Sequence, residues 1–383
     1  MKITKVEILS AREPILLPEP WLPAWQEPNG RYATTFGLSL YKVYTDQDIV
    51  GYGPNIGGDL NLLKNQNPLQ IRQFWYDNMS GKRAGNSDKR AAGLEIALWD
   101  IMGKATNQPI HQLLGASRQR IPVYAATSRL LESHQHIEQV KLLIDLGFKA
   151  VKLRLHRPNP WDDLAVVAAV RESVGDAIEI LVDANQNNAS TGDGERYNFW
   201  SRRIAQQIAI ELDQLNVYFL EEPLPRNDVE GLAMISDSVD MMIAGGEHTP
   251  TVGEFKPHLL AGAYDVLQPD ITLTGNFGIT GLREISSVAD FSGRLVIPHV
   301  TGGGNFFIMF AATLQAMATV DNCPMIEFPC DPPILTPKTL QSILTEPIWI
   351  EDDGSILVPS QPGIGIEIDE SQLEVSLAPE WTN

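Results

Sequence analysis

Three acidic residues close short apolar runs at intervals of one structural unit: Asp183, Glu221 and Glu247. Three carboxylates cannot share a pocket as bare anions, because repulsion forces protonation unless a cation holds them. An all-oxygen set suits a hard ion, Mg²⁺ over zinc. Glu222 follows Glu221 directly, so strand alternation points it off the axis and leaves Glu221 as the ligand. Upstream, Lys152, Arg154 and His156 are spaced by two and face one side of a strand. Core charge pairing explains one such residue. Three beside a metal site read as anion recognition. Asp270 and His299 close two neighbouring runs, and a carboxylate on one imidazole nitrogen fixes the other as a base. Glu327 closes the last run, and no Ser or Cys closes any as a nucleophile.

These residues need a scaffold that brings seven run ends together. From Val123 onward, β-rich runs at 123–126, 150–155, 179–184, 217–221, 241–245, 265–268, 294–298 and 324–327 alternate with helical stretches. Successive steps from Lys152 to Glu327 are 31, 38, 26, 23, 29 and 28 residues, each about one β/α unit. The pattern predicts a barrel of the (β/α)₈ type, with its chemistry at the C-terminal strand ends. A doubly wound sheet fits less well, since no Gly-x-Gly-x-x-Gly follows a strand. The longest step holds a polar stretch, 187–196, that reads as an insertion. The first 115 residues read as strands (2–11, 35–46) followed by helices (67–77, 88–104). Between the strands, Pro14 to Tyr32 is rich in Pro and Trp and reads as an ordered flap. The last 50 residues are expected to pack back on the N-terminal part, with strands at 347–350 and 355–358.

Composition narrows the partners. Lys plus Arg number 29 against 48 Asp plus Glu, a formal charge of −19. That argues against nucleic acid and anionic membranes, which need clustered positive charge. With 43% apolar residues the chain can bury a large core, and its two cysteines are too few for a disulfide framework. The N-terminus lacks a secretory apolar core, and the most apolar window, 306–320, is too short to span a bilayer. The expectation is a cytoplasmic enzyme. His134 and His136 read as surface residues, while His248 stands where it would line the site.

Several segments together resemble the enolase superfamily, mandelate racemase subgroup, over nearly the whole chain. They are Ala91 to Lys104 with Trp99-Asp100, Leu113-Leu114-Gly115, Leu220-Glu221-Glu222-Pro223, Gln268-Pro269-Asp270, His299 and Pro362-Gly363-Ile364-Gly365-Ile366. The resemblance implies a (β/α)₇β barrel (120–330), an N-terminal α+β cap (1–115) and a C-terminal segment packing on the cap (331–383). It implies Mg²⁺ on Asp183, Glu221 and Glu247, a His299–Asp270 dyad, and Lys152 and Glu327 holding a substrate carboxylate. Two cap loops would close the site, here the flap carrying Trp25 and the region around Asn55. It also implies a homo-oligomer, a dimer or an octamer.

Members of this subgroup remove the proton α to a carboxylate, and a metal ion stabilises the resulting enediolate. Many carry lysine at both positions of the second strand, the second being a base. Here Arg154 stands instead, and a guanidinium is a poor base at neutral pH. One-base dehydration of an aldonic or aldaric acid to a 2-keto-3-deoxy acid needs only His299. Asn185, Gln186 and His156 would then meet the substrate. The alternatives are a racemase or epimerase using His156 as the second base, a Schiff-base aldolase on Lys152, and a catalytically silent sugar-acid binder.

Overall fold

The computed structural model describes residues 1–28, 30–81, 89–187 and 199–378. All but the first residue of the 187–196 stretch lies outside them. The N-terminal part begins with strands β1 (Ile3–Ala11), β2 (Ile15–Trp21), β3 (Ala33–Phe36), β4 (Ser39–Thr45) and β5 (Val50–Pro54). Helices α1 (Ile71–Asn78), α2 (Ala92–Thr106) and α3 (Ile110–Leu113) follow. The eight barrel strands are β6 (Arg120–Ala126), β7 (Ala150–Arg154), β8 (Glu179–Asp183), β9 (Phe219–Glu221), β10 (Met242–Gly245), β11 (Val266–Leu267), β12 (Leu295–Val296) and β13 (Ile326–Pro329). They are parallel, in the order β13-β6-β7-β8-β9-β10-β11-β12. The seven connections carry α4 (Ser133–Asp145), α5 (Pro160–Val174), α6 (Arg202–Gln214), α7 (Val229–Ser236), α8 (Lys256–Ala261), α9 (Gly278–Phe291) and α10 (Phe306–Met317). The result is the expected (β/α)₇β barrel with a separate antiparallel sheet.

Two cores follow from strand alternation. Tyr124, Ala126, Ala150, Leu181, Phe219, Ala244, Val266 and Ile297 form the barrel interior. Alternate strand residues such as Val123, Val151, Ile180, Leu220 and Ile243 pack outward against the helices. Helix α10, the most apolar window of the sequence, is buried throughout its length. Among the described residues no helix is long and apolar enough to cross a membrane.

Two buried acids fasten the cap. Glu95, on α2, accepts from the backbone N–H groups of Ile279 and Thr280 at 3.0 Å each and from Trp99 Nε1 at 2.8 Å. It thereby satisfies the open first turn of α9. Gly278 is required there: it has φ +61° and a Cβ would meet the Glu95 carboxylate. Asp100 accepts from Tyr52 N on β5 and Ile364 N in the tail, and pairs with Lys104 at 2.6 Å. The segments Trp99-Asp100 and Pro362-Gly363-Ile364 thus meet at one buried carboxylate.

The C-terminal segment divides its contacts between both layers. Strand β14 (Ser355–Leu357) pairs antiparallel with the start of β6, and Trp349 packs on Phe148 and Phe328 beneath the barrel. Strand β15 (Leu373–Leu377) then joins the edge of β1 in the cap sheet, ordered β15-β1-β4-β5. The strand expected at 347–350 is reduced to one bridge, Ile350 to Ile356.

The Pro/Trp-rich stretch forms an ordered hairpin, β2 with β3, except for residue 29, which is not described. It sits on the end of β6: Ala24 N donates to Ser128 O at 2.7 Å and Trp21 Nε1 to Ser128 Oγ at 2.9 Å.

Candidate active site

Strand register assembles the site. Arg154 pairs with Asp183 across β7 and β8, and Asp183 with Glu221 across β8 and β9, so the last residues of three strands stand in one row. Asp270 and His299 continue the ladder as a parallel bridge beyond β11 and β12. Glu247 lies two residues past β10, and Glu327 within β13.

The row is tightly paired. Lys152 Nζ, fully buried, lies 2.6 Å from Glu221 Oε2 and 2.9 Å from Glu327 Oε1. Arg154 bonds Asp183 through Nη1, donates from Nε to Thr127 O at 2.8 Å, and lies 4.9 Å from the Trp25 ring. His299 Nδ1 is 2.8 Å from Asp270 Oδ2 and its Nε2 is 3.2 Å from Glu247 Oε2. Asp270 is held by the N–H groups of Thr272 and Leu273 and by the Thr301 hydroxyl. Val300 N donates to Glu327 Oε2 at 3.2 Å.

Charge in the site is unbalanced. Asp183, Glu221, Glu222, Glu247, Asp270 and Glu327 are all buried, facing Lys152, Arg154 and His299. Burial, and then Asp183, push Glu221 up to about 7, with Lys152 opposing. Burial and Glu247 push Glu222 well above the usual range. Burial opposes a charged His299, but Glu247, Glu327 and Asp270 outweigh it and raise the imidazole to about 10. Burial likewise opposes a charged Asp270, and the His299 bond outweighs it, so its carboxyl lies below the usual range.

The same imbalance answers whether a cation fits. Glu221 Oε1 is buried without a hydrogen-bond partner. Asp183, Glu221 and Glu247 offer only oxygens, the donor type Mg²⁺ takes.

A cavity of about 420 Å³ opens above this row. Arg154, Asn185, Glu247, His299 and Glu327 line it from the barrel, and Trp25 with Trp21 and Gln26 from the hairpin. Lys152 lies beneath it, fully buried. Three expected contacts lie elsewhere. Asn55 Nδ2 donates to Ser39 Oγ at 2.9 Å, in the seam between cap and barrel. His156 stands two residues beyond the end of β7, where the strand alternation has lapsed, with Nδ1 3.4 Å from Ala184 O. Gln186 is occupied by Ala184 O and Trp200 N. Asn185 bonds Asp183 through its backbone and its Nδ2, leaving Oδ1 without a partner.

Glu222 differs from its reading. It lies one residue past β9 with φ +46°, so the pleat no longer sets its direction, and its carboxylate gathers with Glu247 and His248. His248 and Thr301 also line the cavity. For Thr301 the available signal was its spacing of two from His299.

Sequence comparisons place this geometry among known proteins. Residues 135–372 match the enolase C-terminal domain-like family, and residues 59–115 the mandelate racemase/muconate lactonizing enzyme N-terminal domain. An arabinonate dehydratase of Saccharolobus solfataricus is 28% identical over 354 residues, 87% of this chain and 88% of that one. An L-talarate/galactarate dehydratase of Salmonella typhimurium is 30% identical over 269 residues, 69% of this chain and 63% of that one. A racemase structure from Streptomyces coelicolor with bound magnesium superposes with TM-score 0.79 at 25% identity, covering 97% of this chain and 98% of that one. The chain therefore belongs to the mandelate racemase/muconate lactonizing enzyme family of the enolase superfamily.

Proposed function

We propose that the protein is a Mg²⁺-dependent acid-sugar dehydratase acting on an aldonate or aldarate. The observation that carries this reading is a single base. His299, oriented by Asp270 at 2.8 Å, presents Nε2 beside the cavity, and the second-strand position holds Arg154 rather than a lysine. The two dehydratase relatives act on acid sugars by name, which supports the same substrate class.

Asp183, Glu221 and Glu247 would hold the ion. When bound, Mg²⁺ supplies positive charge that stabilises a developing carboxylate dianion and offsets Glu247, lowering His299 toward the range in which it accepts a proton. The chain's own residues do the rest. Arg154, at the cavity wall, holds the substrate carboxylate, and Glu327, oriented by Val300 N, would bond it as the protonated acid, while Lys152 anchors Glu221 and Glu327 from beneath the cavity. His299 Nε2 takes the α-proton and returns it to the departing β-hydroxyl, while Asp270 steadies Nδ1–H throughout. Asn185 Oδ1, buried without a partner, is available to a substrate hydroxyl. Trp25, stacked on Arg154, closes the cavity from the cap. In this reading the chain works as a cap (1–115, with 331–383) over a barrel (120–330).

The racemase reading requires a second base. Arg154 is tied to Asp183 and Thr127 O, and His156 does not line the cavity, so neither favours it. A semicarbazide assay for 2-keto acid across a panel of aldonates and aldarates, with Mg²⁺, tests the proposal. At least one acid sugar should yield product, and His299→Asn should lower the rate by about 10²–10⁴-fold. Exchange of the α-proton with solvent deuterium, without net dehydration, would show a racemase or epimerase instead. Binding without product or exchange would show a silent binder.

A further inference from the structure

We propose that Glu222, Glu247 and His248 form a second divalent-cation site, suited to a borderline metal such as Zn²⁺, Mn²⁺ or Co²⁺. It rests on the reading of Asp183, Glu221 and Glu247 as a Mg²⁺ set only in being called second, since the two sets share Glu247.

One ligand atom from each of Glu222, Glu247 and His248 lies within 4.8 Å of the others. An ion about 2.0–2.2 Å from oxygen and nitrogen ligands keeps them within roughly 4.4 Å of one another, so shifts of a few tenths of an ångström close the site. Convergence alone is common among acids, and the independent observation is Glu222. It is 1% exposed, and neither carboxylate oxygen has a hydrogen-bond partner. Its charged neighbours are mostly other acids, Glu247, Asp183 and Glu221, with Lys152 a weaker influence. A cation satisfies both oxygens and the repulsion together.

The neighbouring groups fit the same reading. Glu222 takes a left-handed φ of +46° just past β9, a conformation a non-glycine residue adopts at a cost, and this turn accompanies its approach to Glu247. Glu247 presents its two oxygens to different partners: Oε2 to His299 at 3.2 Å, Oε1 to His248 Nδ1 at 2.8 Å. The second contact is close but lacks the alignment of a hydrogen bond. His248 is 35% exposed and lines the cavity, giving an ion a way in. Two carboxylates and an imidazole form a mixed oxygen–nitrogen set. That selects borderline ions over Mg²⁺, whereas the Asp183–Glu221–Glu247 set is all oxygen.

Zn²⁺ titration of the chelator-stripped protein, against a chromophoric competitor and with Mg²⁺ at saturation, tests the site. Wild type should keep one Zn²⁺ equivalent that Mg²⁺ does not displace. Glu222→Gln and His248→Asn should each weaken it by at least about tenfold, while Asp183→Asn leaves it in place. Circular dichroism of His248→Asn, altered at a partly exposed position, separates lost ligation from lost folding. Co²⁺ in the same position should give a visible spectrum that His248→Asn changes. Zn²⁺ affinity indifferent to both variants, or a single Zn²⁺ displaced by Mg²⁺ and lost in Asp183→Asn, overturns the proposal. Zn²⁺ retained in a protein without Mg²⁺-dependent thermal stabilisation supports this site and counts against the Mg²⁺ set instead.

Discussion

Lys152 governs the charge balance of the pocket. It is fully buried between Glu221 and Glu327, and removing it leaves Glu221 without its cation and Glu327 with only the longer 3.7 Å pairing to Arg154. Lys152→Met should therefore destabilise the fold by about 3–5 kcal/mol, measured by urea unfolding in chelator. Excess Mg²⁺ should recover part of that loss, because it supplies charge to the same cluster. An unchanged midpoint would show that Glu221 and Glu327 are already neutral. Lys152, Asp183 and Glu221 were legible in the sequence because each lies inside a strand, where a two-residue period fixes which side chains turn inward. His156 and Glu222 lie just beyond strand ends, where that period no longer applies. His136, read as a surface residue, is buried: a helical position says little about which face meets the core when its neighbours are polar.

Helices α9 and α4 each have a buried polar side chain bonded at or just before their first turn. For α9 it is Glu95, from another layer. Glu95→Ala leaves the N–H groups of Ile279 and Thr280 and the Trp99 indole without this acceptor between cap and barrel. A loss of about 2–5 kcal/mol is expected, with Mg²⁺ affinity unchanged, since no site residue is touched. For α4 it is His136, whose Nε2 accepts from Leu131 N while Nδ1 pairs with Gln139 Oε1, an arrangement only the neutral ring satisfies. Burial lowers this imidazole from 6.5 to about 4, with the Arg157 charge adding to the effect. The unfolded chain then binds the extra proton first. Stability is full above about pH 6.5 and falls as pH drops toward 4, by up to about 3 kcal/mol. His136→Gln should flatten that part of the stability–pH curve relative to wild type.

At the scale of the whole molecule, an acidic chain of formal charge −19 holds several of its acids in one pocket. A cation that binds only the folded protein stabilises it by mass action, about 2.7 kcal/mol at a hundred times its dissociation constant. Mg²⁺ should therefore raise the melting temperature of wild type, and much less that of Asp183→Asn. Equal shifts in both would place the ion elsewhere. The sequence by itself determined the barrel, its strand ends, and the residues that close them, because alternation within strands and the length of a β/α unit are local properties. It also marked the Trp-rich hairpin as ordered. Tertiary structure alone decided that this hairpin docks on Ser128, and that Glu95 and Asp100 tie cap, barrel and tail together. It alone showed the tail divided between two layers and Glu222 turned toward Glu247. These outcomes depend on contacts between residues far apart in the chain, and no local period encodes which distant carboxylate, backbone N–H or strand edge a residue will meet.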